Sequence, residues 1–127
     1  HVKLNKLLIT CGTEGEQVAE LTLSIGGERK SSRQEGNGPV DAIFKAIRQL
    51  VHHEARLELY QVHAVTGGTG AQARVTVRLE SKGGDIVGGH GVDADTLVAT
   101  SKAYLSALNH LLEHEEEDKI TLLTQEV

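Results

Sequence analysis

The sequence predicts an α+β domain made of two βββα units, in which antiparallel hairpins pack against two helices. The segments Ala19–Ile25 and Ala73–Leu79 alternate apolar and polar residues, which is the period of a strand with one buried face. Glycines follow both, at Gly26–Gly27 and within Ser81–Gly84, where a hairpin turn needs positive φ, so a return strand should follow each. Two later segments repeat apolar residues at helical spacing. Hairpins that alternate with helices define the α+β class.

The two helices are predicted over residues 39–52 and 96–114. Pro39 suits the first helical position because the N–H group there has no intrahelical partner. Asp95 is a residue type that commonly caps a helix N-terminus. The apolar residues of each segment fall on one helical face, so both helices should pack on the strands.

The first strand of each unit is predicted at residues 4–11 and 56–65. With these strands in place the two halves of the chain align as a repeat, in which Leu8 matches Val62 and Pro39 matches Thr96. One βββα unit is too small to bury both its sheet and its helix. We therefore expect the two units, or two chains, to complete the core together.

We expect a single domain over residues 1–127, because chains of about 100–150 residues usually fold as one unit. The repeat should cover about residues 4–53 and 55–114. The tail comprises residues 115–127. It begins within an acidic run, which should be solvated. Its apolar part at 120–123 is expected either to be disordered or to dock on a part of the protein outside this sequence.

The composition argues against several functional classes. The net charge of −5 repels phosphate backbones and anionic membrane surfaces, and an aromatic content of 2% leaves almost no surface on which bases could stack. No apolar run approaches the ~20 residues of a membrane span, and the single Cys11 cannot form an intrachain disulfide. We expect a cytoplasmic protein with no nucleic-acid or membrane partner. The absence of methionine predicts either a processed product or a piece of a longer chain.

The segment His110–His114 reads His-Leu-Leu-Glu-His, which is the order of the inverted zinc-peptidase motif. Helical spacing turns both histidines away from the apolar face, and only the acidic run downstream could offer a third ligand. A motif match needs its structural context. We therefore interpret the histidines as facing solvent and expect neither a metal nor a catalytic residue in this domain.

The segment Gly36–Ala42, at the start of the first helix, is the best candidate for a binding site. Two glycines before a helix leave backbone N–H groups open to a small anion, and Asp41 could hold an ammonium group, so a zwitterion would satisfy both. Ala71 and Ala73 share one strand face and leave room for a small apolar group. The alternative interpretation is a glycine-rich helix start without a ligand.

Five segments carry a resemblance to a known family. They are Gly-Asn-Gly-Pro-Val-Asp-Ala (36–42), Ala-Val-Thr-Gly-Gly-Thr (64–69), Ala-Arg-Val-Thr-Val-Arg-Leu-Glu (73–80), Gly-Val-Asp-Ala-Asp (91–95) and Ser-Lys-Ala-Tyr-Leu-Ser-Ala-Leu-Asn (101–109). On these segments the chain resembles the C-terminal regulatory domain of α-isopropylmalate synthase and the related citramalate synthase, over nearly its whole length. The resemblance implies a homodimer that binds L-leucine or L-isoleucine near the dimer interface.

The resemblance also implies a separate catalytic TIM barrel in the full-length chain, which would use acetyl-CoA, a 2-oxo acid and a divalent metal. The regulatory domain would hold no cofactor and would impose feedback inhibition. The open volume beside Val40, Ala64, Ala71 and Ala73 favours leucine, and hence isopropylmalate synthase. An isoleucine-binding citramalate synthase domain and a ligand-free dimerisation domain are the alternatives.

The resemblance implies ligand contacts from four segments. They are Asn37, Gly38, Val40 and Asp41; Leu57, Tyr60 and Ala64; Ala71, Ala73 and Val75; and Val92 and Ala94. The second group mixes odd-numbered and even-numbered positions, which point to opposite faces of a regular strand. If all three of its residues face the ligand, the strand must contain a bulge or a bend.

Overall fold

The computed structural model describes residues 1–67 and 70–125, which form six strands and two helices. In chain order they are β1 (Val2–Thr10), β2 (Gln17–Ile25), β3 (Glu28–Gly36), α1 (Pro39–Leu50), β4 (Arg56–Gly67), β5 (Gly70–Glu80), β6 (Ile86–Asp93) and α2 (Thr96–Gln125). Two antiparallel sheets, β1-β2-β3 and β4-β5-β6, each precede one helix. The predicted α+β class with two βββα units is therefore confirmed. Gly68 and Thr69, within the 64–69 segment, lie outside the described residues.

The turn between β2 and β3 consists of two glycines, as the sequence predicts. Gly26 and Gly27 have φ values of 57° and 85°, a conformation that L side chains rarely adopt. Two successive residues with positive φ form the hairpin turn that matches the twist of the flanking strands. Gly84, with φ of 91°, has the corresponding role between β5 and β6.

Strand β4 contains the irregularity that its predicted ligand residues require. The pairing with β5 shifts between Leu57 and Leu59. Leu57 lies opposite Leu79 before the shift, and Tyr60 and Ala64 lie opposite Val77 and Ala73 after it. Directly opposed residues of antiparallel strands share one face. Leu57, Tyr60 and Ala64 therefore all point to the helix side of the sheet, which we call the inner face.

The alignment of Leu8 with Val62 is wrong by one residue. Strand β1 also has a bulge, at a different place, between Leu4 and Lys6. As a result Leu7 lies opposite Leu21, whereas Leu8 lies opposite Glu20 on the outer face and is exposed. Val62 lies opposite Val75 on the inner face, so its counterpart is Leu7. A comparison of apolar patterns cannot detect bulges that fall at different positions in the two copies.

The core lies between each sheet and its helix. Helix α1 packs on β2 and β3, and α2 packs on β5 and β6 and also reaches β1. At this last contact the Asn109 side chain accepts a hydrogen bond from the Val2 N–H (2.8 Å) and donates one to the Val2 carbonyl (2.9 Å). The largest fully buried apolar side chains are Leu21, Leu23, Ile43, Ile47, Val75, Val77, Leu79, Tyr104, Leu108 and Leu111.

The three phenylalanine and tyrosine residues of the chain meet where the two units join. The ring of Phe44 on α1 lies 4.7 Å from that of Tyr104 on α2 and 5.9 Å from that of Tyr60 on β4, centroid to centroid. The Tyr60 hydroxyl also lies 2.8 Å from Thr100 Oγ1. We call these three rings the aromatic junction, because they connect the first unit to the second.

Helix α2 is longer than predicted. It continues to Gln125 instead of ending near residue 114, and α1 ends slightly early, at Leu50. The sequence from 96 to 125 contains neither glycine nor proline, and its leucine, glutamate and lysine residues favour helix. The acidic run is exposed at Glu115–Glu117, yet it is helical. Within the described residues no helix is both long and apolar enough to span a membrane.

Candidate functional site

A small cleft opens at one end of the second sheet, between β4, β5 and the start of α2. Its volume is about 260 Å3. It is lined by Val62, His63, Ala64, Ala71, Gln72, Ala73, Ala94 and Thr96. Half of these residues are alanines, and their short side chains leave the space open. All four alanines are predicted ligand residues.

The other predicted ligand residues of the second unit do not line the cleft. Leu57 and Tyr60 follow it along the inner face of β4. Val75 is fully buried, so its side chain supports the sheet from within the core. Val92 lies opposite Arg74, on the outer face of the sheet, and is therefore separated from the cleft by the sheet itself.

The N-terminus of α1 has open backbone amides, as the sequence predicts. Gly38 is the N-cap and makes no side-chain hydrogen bond to the helix, and Pro39 has no N–H group. The first intrahelical bond runs from Ala42 N to Gly38 O (3.0 Å). Helix geometry thus leaves the N–H groups of Val40 and Asp41 without an intrahelical acceptor. They form a small electropositive surface.

The Asp41 carboxylate, predicted to hold an ammonium group, already has two donors. Its Oδ2 accepts a hydrogen bond from Asn37 N (2.9 Å) and lies 3.1 Å from Lys45 Nζ. The backbone bond from Asn37, and then Lys45, hold the pKa of this carboxyl below its usual range. Asp41 therefore fixes the turn that leads into α1. None of Asn37, Gly38, Val40 and Asp41 lines the cleft of the same chain.

The N-terminus of α2 differs because a side chain caps its backbone amides. Asp95 Oδ1 accepts hydrogen bonds from Leu97 N (2.8 Å) and Val98 N (3.4 Å), which confirms the predicted N-cap. Asp93 accepts a bond from Asp95 N and pairs with Lys102, and these two contacts lower the pKa of Asp93 in that order. The α2 amides of Leu97 and Val98 are thus occupied, whereas the first-turn amides of α1 have no side-chain cap.

Each histidine of the zinc-peptidase motif contacts another group of the domain. His110 Nδ1 lies 2.7 Å from the Gly88 carbonyl, and His114 Nε2 lies 2.9 Å from Asp85 Oδ2. In the chain as described, no three His, Cys, Asp or Glu side chains are grouped so that they could hold a metal. His90, on β6, has its Nδ1 3.1 Å from Thr76 Oγ1.

Sequence reasoning missed four residues that line the cleft, Val62, His63, Gln72 and Thr96. Val62 lies between Tyr60 and Ala64 on the same strand face, so strand periodicity could have found it once the bulge was placed. Thr96 is the first residue of α2 and lies two residues after Ala94 in the chain. Its position depends on how the helix leaves the sheet, for which the sequence carries no local signal.

The structure combines two βββα units with a small, alanine-rich cleft and an open helix N-terminus, which are features that suit recognition of a small molecule. The chain belongs to the LeuA allosteric (dimerisation) domain family, whose model matches residues 1–112. The family resemblance found in the sequence is thereby confirmed.

Relatives of this chain are named 2-isopropylmalate synthase. That of Caulobacter sp. is 52% identical over 119 residues, which are 94% of this chain and 22% of the relative. That of Bradyrhizobium diazoefficiens is 51% identical over 121 residues (95% and 23%), and that of Methylobacterium nodulans is 55% identical over 112 residues (88% and 21%). The chain thus spans about a fifth of the length of these relatives.

Proposed function

We propose that this chain is the regulatory domain of a 2-isopropylmalate synthase and binds L-leucine as a feedback inhibitor. The family match carries the proposal, and the names of the relatives support it. In the full-length protein, a separate catalytic barrel with a divalent metal would condense acetyl-CoA with 2-oxoisovalerate. The chain described here would contribute recognition and no chemistry, and would act in leucine biosynthesis.

The proposed ligand site combines the alanine-lined cleft with the open amides of α1. The cleft offers apolar space for a branched side chain, and the N–H groups of Val40 and Asp41 offer hydrogen bonds to a carboxylate. Both parts would be needed, because an apolar cleft alone gains only about 1–3 kcal/mol from each methylene group that it accepts. The short alanine side chains favour leucine, which branches farther from its backbone than isoleucine does.

A homodimer would bring these two parts together. In one chain the α1 N-terminus does not line the cleft. On the inner face of β4, Leu57 and the cleft-lining Val62 stay 41% and 46% exposed, although the opposed residues of β5 are buried. Apolar surface of this kind marks an interface. In the proposed dimer, the second copy covers β4 and provides the N-terminus of its α1 to the cleft.

A pair of leucine substitutions tests this site. Ala71→Leu fills the cleft from an exposed position, whereas Gln61→Leu adds the same side chain at an exposed position on the other face of the sheet. In calorimetric titrations with L-leucine, wild type and Gln61→Leu should bind alike, and Ala71→Leu should bind at least about tenfold more weakly. Unchanged affinity in Ala71→Leu would place the site elsewhere.

The same titrations distinguish the alternative functions. A folded dimer that binds no leucine would be a ligand-free dimerisation domain, and preference for isoleucine would indicate a citramalate synthase domain.

A further inference from the structure

His53 occupies an unusual position in the link between α1 and β4. Its side chain is half-buried, and its Nε2 lies 2.8 Å from the hydroxyl of the fully buried Tyr104 on α2. Its Nδ1 is enclosed and has no hydrogen-bond partner within the described part of the chain. An enclosed, unpartnered ring nitrogen is costly, and adding a proton and a charge there would cost more.

The aromatic junction connects His53 to the proposed ligand site. The His53 ring lies 5.9 Å from the Tyr104 ring, which contacts Phe44, which contacts Tyr60. The Tyr60 hydroxyl meets Thr100 Oγ1, and Thr100 Oγ1 donates to the carbonyl of Thr96 (2.8 Å), which lines the cleft. Contiguous packed side chains thus extend from His53 to the cleft and cross from one βββα unit to the other.

The titratable side chains that act on the His53 ring disfavour a positive charge there. Arg48 of α1 and His52 of the link act on the ring as like charges, and Tyr104 of α2 contributes a hydroxyl whose own pKa is raised by burial. Burial first, and then Arg48 and His52, lower the pKa of His53 below its ordinary value, although the Ala55 backbone opposes the shift. The packed junction therefore favours the neutral ring.

We propose that His53 makes effector binding acid-sensitive, because a proton on its ring loosens the aromatic junction and thereby weakens leucine binding at the cleft. The inference rests on the proposed function and names a regulation of the same site. The neutral ring belongs to the packed, binding-competent state. Leucine affinity should therefore be full above the ordinary histidine pKa of about 6.5 and should decline as the pH falls below it.

Adjacent histidines provide a matched pair of variants for the test. His53→Gln removes the titrating group and keeps a side chain that can bond to Tyr104, and His52→Gln removes its exposed neighbour. L-leucine is titrated calorimetrically into each protein at about pH 7.5 and about pH 5, on either side of the histidine pKa. We expect affinity to fall at least about fivefold at the lower pH in wild type and in His52→Gln, and less than about twofold in His53→Gln.

The outcomes separate the two proposals. If wild type binds leucine equally at both pH values, or if His53→Gln keeps the full pH dependence, the role of His53 is refuted while leucine binding stands. If no protein binds leucine at the higher pH, the proposed function fails and the inference fails with it. If His53→Gln does not fold, the pKa of His53 in wild type, followed by NMR, must fall on saturation with leucine, since coupling is reciprocal. An unchanged pKa would overturn the inference.

Discussion

Single glycines determine how closely α2 approaches the second sheet. Gly89 and Gly91 on β6 have no positive φ, so backbone conformation does not require glycine at either position. A methyl group on Gly89 would instead overlap the backbone of Ala103 and Ala107, and one on Gly91 that of Ala99 and Ala103. The alanines at every fourth position of α2 complete this close contact. The glycines of β6 and the alanines of α2 thus allow the backbones of the strand and the helix to come into contact.

Gly91→Ala should therefore destabilise the domain by about 1–3 kcal/mol, because the added methyl group overpacks the contact with α2. Gly88→Ala is the control, since its methyl group would meet only atoms at ordinary contact distance, 3.8 Å away. Urea unfolding of both variants measures the free energies. Equal stability of the two would show that α2 can move away from the sheet at little cost.

A substitution at the N-cap of α1 should change the stability of the domain and its ligand affinity in opposite directions. Gly38 has an extended backbone, with φ of −170°, and open space around its Cα, so Asp can replace it without strain. Gly38→Asp should add a few tenths of a kcal/mol of stability by capping the helix. Its carboxylate should also weaken L-leucine binding at least about tenfold, because it occupies the amides that the proposed ligand needs. Gly38→Ala, which adds no charge, should still bind. Undiminished binding by Gly38→Asp would remove α1 from the site.

At the scale of the elements, α2 combines a capped, buried N-terminal half with an exposed acidic extension. The cap explains why the helix begins at Thr96, directly after Asp95. Beyond the buried Leu111, most of the side chains that the structure describes are exposed, and Ile120 and Leu123 are 58% and 66% exposed. Helix propensity and continuity with the packed half are therefore what favour the extension.

Loss of the α2 cap should have a measurable cost. Asp95→Ala removes the acceptor of the Leu97 and Val98 N–H groups and should lower the free energy of unfolding by about 1 kcal/mol. Asp95→Asn keeps an acceptor oxygen and should lose much less. Thermal and urea unfolding can compare the two variants. A cost that is equal for Ala and Asn would mean that the charge, and not the hydrogen bond, stabilises the helix.

Elements with a regular period could be read from the sequence, and irregular features could not. Alternation identified Ala19–Ile25 and Ala73–Leu79, because each is a central strand with one buried face. The bulge in β1 displaced Leu8 to the outer face without leaving any apolar signal. In the candidate site, the alanines of β5 were found through strand parity, whereas Thr96 depends on how α2 leaves the sheet. The open α1 cap was found because glycine and proline act locally.

At the scale of the whole molecule, the two units cover their sheets unequally. Helix α2 contacts β1 of the first sheet, and Leu4 and Leu7 there are partly buried. In the second sheet, Tyr60 on the inner face of β4 is partly buried at the aromatic junction, whereas Leu57, Val62 and Ala64 on the same face are exposed. These exposed residues are where we propose that a second copy binds.

Leu57→Asp should therefore weaken or abolish the dimer, because it places a charge in the proposed interface. Leu8→Asp is the matched control, since Leu8 is similarly exposed, at 48%, but lies on the outer face of the first sheet. Sedimentation of both variants at micromolar concentration should give a monomer for Leu57→Asp and a dimer for Leu8→Asp. A dimer that survives Leu57→Asp, or is lost in Leu8→Asp, would move the interface away from β4.

Binding of the effector amino acid is the central claim, and calorimetric titration of this chain with L-leucine tests it most directly, with D-leucine as the stereochemical control. A site that holds the carboxylate at a helix N-terminus and the side chain in an alanine-lined cleft fixes the ligand at two points, so it should distinguish the enantiomers. We predict saturable heat with L-leucine and none with D-leucine. A folded dimer that releases no heat with millimolar L-leucine, or responds equally to both enantiomers, would contradict the account.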